Sequence, residues 1–111
     1  MRPADRIERW LDDAVTALDT AADLVARGHD AFEHDPAIPL AFEALSNRIG
    51  DLAKRLVTAD PVRFDHPIWS QAARNRDFVV HHYDRVDADA LWMTVSRSFP
   101  ELRAAIDDVR G

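Results

Sequence analysis

Apolar residues recur every three or four positions along most of this chain, with charged residues between them. From residue 4 to 27, Ile7, Trp10, Leu11, Ala14, Leu18, Ala21 or Ala22 and Val25 form one stripe, and Gly28 is a natural stop. Residues 29–38 read as a connecting loop punctuated by Pro36 and Pro39. A second helix is predicted from about Pro39 to Thr58, with Leu45, Ile49, Leu52 and Leu56 inward and Pro61 closing it. Asp65-His66-Pro67 has the form of a helix start, a capping carboxylate before a first-turn proline, and the third helix runs from Pro67 to about His82. Asp87 is the expected cap of a fourth helix through Leu91, Trp92, Val95 and Ser98. Phe99-Pro100 breaks the line, and Pro100 opens a last helix through Leu102, Ile106 and Val109.

No stretch alternates like a strand, and there is no internal repeat or low-complexity segment. The pattern predicts an all-α fold, an up-and-down four-helix bundle with an additional short C-terminal helix, with residues 1–111 forming one domain.

Composition narrows the function classes. With 47% hydrophobic residues the chain can build a core, although small domains bury a modest share of their surface and often oligomerise. The absence of cysteine excludes disulfides and thiolate chemistry and fits a reducing compartment. The N-terminus is too charged for a signal peptide, and no run approaches the roughly 18 apolar residues of a membrane span, so a soluble cytoplasmic protein is expected. The net charge of −6 argues against broad binding to duplex DNA. Acids crowd the first helix and both termini, whereas Lys54, Arg55, Arg63, Arg74, Arg76 and Arg85 gather mid-sequence. An acidic body with a local basic cleft suits one RNA segment.

The chemistry concentrates in Arg76-Asp77-Phe78-Val79-Val80-His81-His82-Tyr83. A permanent cation, an imidazole and a phenol fall within eight positions, around an apolar run that reads as core. Polar groups at the end of a core helix are costly unless paired or functional. Arginine neutralises a phosphate and histidine moves protons near neutral pH, a pair suited to metal-free cleavage of a phosphodiester. Asp77 precedes His81 by four residues, within side-chain reach on a helix, where a carboxylate holds the imidazole's tautomer and raises its pKa. His29, His34 and His66 lack ligand spacing, and the helices lack the Glu and Glu-x-x-His repeats of di-metal bundles, so neither a metal site nor a cofactor is expected.

The spacing Arg76-x4-His81-x-Tyr83 resembles the signature of HepT-like HEPN-domain ribonuclease toxins. Ile49-Gly50-Asp51-Leu52-Ala53-Lys54-Arg55-Leu56 is similar to that family's Ile-Gly-Glu-Ala-x-Lys-x-Leu segment. Ile68-Trp69 upstream, then Val86-Asp87, Leu91-Trp92 and Phe99-Pro100-Glu101-Leu102 downstream, extend the resemblance over roughly residues 4 to 109. It implies a metal-independent endoribonuclease acting by 2′-hydroxyl attack, with transfer RNA among its candidate substrates. Arg76 and His81 are then catalytic, and Asp77, Tyr83 and Arg74 orient the substrate. It also implies the toxin of a type VII (HEPN/MNT) toxin–antitoxin pair, a homodimer neutralised when an MNT-type nucleotidyltransferase antitoxin attaches AMP to Tyr83. Asp77 departs from the family's frequent asparagine, and Asp51 from its glutamate. The alternative is a non-catalytic helical partner of a nucleotidyltransferase that binds nucleotide in the same cleft.

On an ideal helix, positions 76 and 83 share a face, whereas position 81 lies about 140° from 76, nearer 74 and 77. Either the helix ends or distorts before His81, or the two side chains converge across a dimer axis; HEPN clefts generally combine motifs from two subunits, which favours the dimer. Arg74-x6-His81 is a second reading of the motif, and Arg76 is preferred because Tyr83 then falls at the family's distance. The Asp51 carboxylate is positioned to pair with Arg76 or Lys54. The interior Gly50 points to close approach of another helix or a ligand. Trp10, Trp69 and Trp92 read as core.

Overall fold

The computed structural model describes residues 2–81 and 88–111, with side chains left out for 75–81. Its elements are α1 (Pro3–Val25), α2 (His29–His34), α3 (Ala37–Ala59), α4 (Pro67–His81), α5 (Ala88–Met93), a π-helical stretch (Thr94–Ser98) and α6 (Phe99–Arg110). No strand occurs among the described residues, so the class is all-α as expected. The segment from Ala88 to Arg110 is helical throughout, which makes four long rods. Packing runs in a ring: α1 against α3, α3 against α4, α4 against α6, and α6 against α1. The core they enclose is apolar, with Trp69, Phe42, Phe64, Leu11, Ile49 and Leu56 almost wholly shielded.

Three local features differ from the sequence expectation. The first lies in residues 29–38, read as loop, which fold into α2 and the start of α3. Gly28 permits the turn with φ 96°, a backbone conformation open to glycine and strained for other residues. Phe32 then anchors the short helix, its ring 5.8 Å from Phe42 and 5.2 Å from Trp92. The Asp35 carboxylate accepts from the Ala37 N–H and starts α3 two residues before Pro39.

The second concerns the start of α4, where the expected Asp65 cap is replaced by His66. Its Nδ1 accepts from the Ile68 N–H at 3.1 Å, and its carbonyl accepts from the Trp69 N–H. Phe64 and Trp69 meet edge to face 4.9 Å apart beneath this turn. The expected cap at the other end of the loop, Asp87, lies outside the described residues, as does His82.

The third is the Phe99-Pro100 break, which does not interrupt the rod. Proline lacks an N–H and its ring collides with the carbonyl four residues back in a regular α-helix. The ladder instead widens just before it, and the Phe99 N–H donates to the Thr94 carbonyl five residues back. A π turn absorbs the proline, and α6 continues.

Charge explains how α6 seats on α1. Arg110 reaches Glu8 at 3.0 Å and Asp12 at 2.7 Å, and Arg103 reaches Asp19 at 3.2 Å and Asp107 at 2.9 Å. The hydrogen bonds to Asp12 and Asp107 push the Arg110 and Arg103 guanidinium pKa values further up. The pairs face solvent, so each adds at most about 1 kcal/mol, and their main effect is to set the register of α6 on the acidic face of α1.

The most extensive pairing in the fold is that of α3 with α4. The flank of α3 that meets α1 carries Arg48, 3.9 Å from Asp13, and Arg55, 6.0 Å from the Trp10 ring. The other flank of its buried arc bears Ser46, Gly50 and Ala53, with half-buried Val57 among them. Among the described residues the buried Ser46 hydroxyl has no hydrogen-bond partner. Removing an unsatisfied buried hydroxyl relieves its desolvation cost, so Ser46→Ala is expected to stabilise the fold by about 1 kcal/mol. A urea midpoint that falls instead of rising would contradict this.

Candidate functional site

The candidate chemistry sits on the second half of α4. The helical backbone continues through His81, so of the two ways to reconcile Arg76 with His81, an early end to the helix is removed. Five residues of regular helix leave positions 76 and 81 about 140° apart. The side chains of Arg76, Asp77 and His81, and Tyr83 altogether, lie outside the described residues. Among the described residues no helix is long and apolar enough to cross a membrane.

Arg74 is the one predicted site residue whose side chain is described, and it is exposed. It precedes His81 by seven residues, about two turns, and so shares its side of α4 to within about 20°. Arg74 lines a pocket of about 390 Å³ between α4 and the start of α6. The apolar part of the lining comes from Ile68 and Ala72 on α4 and from Phe99 and Leu102 on α6. Gln71, Ser98 and Glu101 supply the other polar groups. A second recess of about 420 Å³ shares Ile68 and Glu101 and extends the groove toward Arg63, His66 and Val109. At its far end Arg63 donates to the Val109 carbonyl at 3.1 Å and lies 3.6 Å from Glu8.

Of the residues expected in a basic cleft, the Arg76 side chain and Arg85 lie outside the described residues, and the other four fall in two places. Arg63 and Arg74 line the α4–α6 groove, while Lys54 and Arg55 lie in a separate recess between α1 and α3 with Arg6 and Trp10. Asp51 pairs with Arg55, one turn along α3, at 2.9 Å rather than with Lys54. Trp69 is fully buried, whereas Trp10 and Trp92 are half-buried against the core. The sequence did not single out Gln71, Ser98 or Glu101 as lining a shared pocket. They come from separate elements, and only the docking of α6 on α4 brings them together.

The model of the ribonuclease HepT-like family matches residues 14–109, from the second turn-pair of α1 to the end of α6. The chain belongs to the HepT-like ribonuclease family. The match contains α4 whole, together with the π turn and the groove beside it. A protein of Caldanaerobacter subterraneus subsp. tengcongensis described as "Putative RNase TTE0752" is 27% identical over 78 residues, which span 70% of this chain and 70% of that protein. No solved structure matches the chain. The HepT-like assignment therefore rests on sequence, and the helical fold agrees with the bundle that the resemblance implies.

Proposed function

We propose that this HepT-like protein is a metal-independent endoribonuclease, the toxin of a type VII toxin–antitoxin pair, acting in the cytoplasm. The observation that carries the reading is the spacing Arg76-x4-His81-x-Tyr83, which lies inside the family match. The substrate 2′-hydroxyl attacks the adjacent phosphate. His81 takes the proton from that hydroxyl or gives one to the leaving 5′-oxygen, and Arg76 stabilises charge on the phosphate oxygens. The products are a 2′,3′-cyclic phosphate, or the monophosphate formed on its hydrolysis, and a 5′-hydroxyl end. Asp77 orients His81, and Arg74 and Tyr83 hold the substrate. DNA, lacking the attacking group, is inert.

The active form is a homodimer in this reading. A helix that stays regular through position 81 cannot readily aim both groups at one phosphate, so Arg76 of one subunit meets His81 of its partner. Angular separation on α4 supports this, together with the small size of the domain.

Control acts on Tyr83, through AMP attached by an MNT-type nucleotidyltransferase. Position 83 lies seven residues after 76 in sequence, and the added phosphate would bring negative charge and bulk to the substrate's place. Arg76 would then pair with the attached phosphate by the same charge-assisted bonds it uses on RNA. The test is co-expression with a nucleotidyltransferase encoded beside this chain, followed by intact mass measurement. A gain in AMP units that Tyr83→Phe abolishes, with loss of RNA cleavage on modification, is the expected result. Neutralisation without any mass gain would mean inhibition by complex formation alone.

A further inference from the structure

The α4–α6 pocket has the make-up of a nucleobase subsite. Planar bases favour an apolar floor with a few hydrogen-bonding groups at the rim, and ligand pockets begin at about 300 Å³. At about 390 Å³, with Ala72, Phe99 and Leu102 as buried floor, this pocket meets both conditions. None of its four polar side chains, Gln71, Arg74, Ser98 and Glu101, makes a hydrogen bond or ion pair with another described residue. That sets them apart from Arg63, Arg103 and Arg110, whose charges are spent on nearby carboxylates.

We infer that this pocket binds one base of single-stranded RNA next to the cleavage site and sets the enzyme's sequence preference. The inference rests on the ribonuclease reading for the strand's path but on the pocket alone for binding. Arg74, at the rim and in line with position 81, takes a backbone phosphate. Glu101 accepts hydrogen bonds, and its two oxygens match the adjacent N1–H and N2–H donors of guanine. Uracil presents a single N–H between two carbonyls, which a carboxylate repels. Gln71 donates or accepts at the remaining positions. Guanine is therefore the preferred base and uracil the least favoured.

The probes are the four nucleoside 5′-monophosphates, titrated into the wild-type protein and a Gln71→Ala/Glu101→Ala variant, with backbone amide shifts recorded by NMR. Both substituted side chains are exposed, so the variant is expected to fold normally. GMP should bind most tightly and UMP most weakly, with shifts concentrated at Ala72, Ser98 and Phe99. Affinity for GMP should fall about tenfold or more in the variant, the loss of one or two charge-assisted hydrogen bonds. Cleavage by the variant should lose its base preference. Equal binding of all four nucleotides, or GMP binding unchanged in the variant, overturns the inference. So does a variant that loses only self-association, which would assign the groove to a second copy of the chain. A protein that binds GMP here yet cuts no RNA supports the inference and sinks the ribonuclease reading alone. One that cuts RNA without binding GMP does the reverse.

Discussion

His81→Ala and Arg76→Ala are each expected to reduce RNA cleavage by the purified protein about 100- to 10,000-fold. That range is typical for loss of a general acid–base or of a group that stabilises transition-state charge. Arg76→Lys should also be impaired, because an ammonium lacks the planar, two-pronged donor geometry of guanidinium. Helical content and the urea midpoint should stay near wild type, which separates lost chemistry from lost fold. Mixing the two inactive alanine variants gives a sharper test of the shared cleft. If Arg76 of one subunit serves His81 of the other, each heterodimer has one doubly damaged cleft and one intact cleft. Activity should then return to a sizeable fraction of wild type. A mixture as dead as its components means that each cleft draws both residues from one chain.

The second large effect concerns stability. Trp69→Ala is expected to cost about 3–5 kcal/mol, the usual range for deleting a large aromatic side chain from a core. Trp69 is 1% exposed and packs edge to face on Phe64, so the surroundings cannot close the gap without moving the turn between α3 and α4. A small domain has about 5–15 kcal/mol in all, so the variant should be marginal at 37 °C. Trp69→Phe should lose less, since a ring remains against Phe64. Urea denaturation checks both, and a Trp69→Ala cost under about 1 kcal/mol would show that this corner of the core can collapse around the cavity.

Periodic burial made the long helices legible. Ile7, Leu11, Ala14, Leu18 and Ala21 repeat the same angular position, and all five are buried. The failures are as physical as the successes. Helix α2 has six residues and one buried side chain, too few for a period, and exists because Phe32 fits against Phe42 and Trp92. Pro100 carries a valid local signal against a regular helix, but the chain met it by widening one turn, with Val95 buried within that turn and Phe99 just after it. At the start of α4, Asp65 and His66 both had capping chemistry, and backbone geometry selected the imidazole.

The candidate site divides along the same line. Arg76, His81 and Tyr83 were legible because they lie within eight residues, where spacing itself carries information. Gly50 is buried on the same flank of α3 as Ser46 and Ala53. Gln71, Ser98 and Glu101 were not legible. A carboxylate in a pocket of mixed polar and apolar lining looks, in sequence, like any other surface charge on α6.

The most direct test of the ribonuclease account uses an oligoribonucleotide cut by the purified protein, and the same oligonucleotide with one 2′-deoxy residue on the 5′ side of the cleaved bond. Both are incubated with excess EDTA. Cleavage of the all-ribose strand in EDTA, leaving a 2′,3′-cyclic phosphate or its hydrolysis product, with the deoxy-substituted bond intact, is the predicted result. Cleavage of the deoxy-substituted bond, or its complete arrest by EDTA in the all-ribose strand, would contradict it.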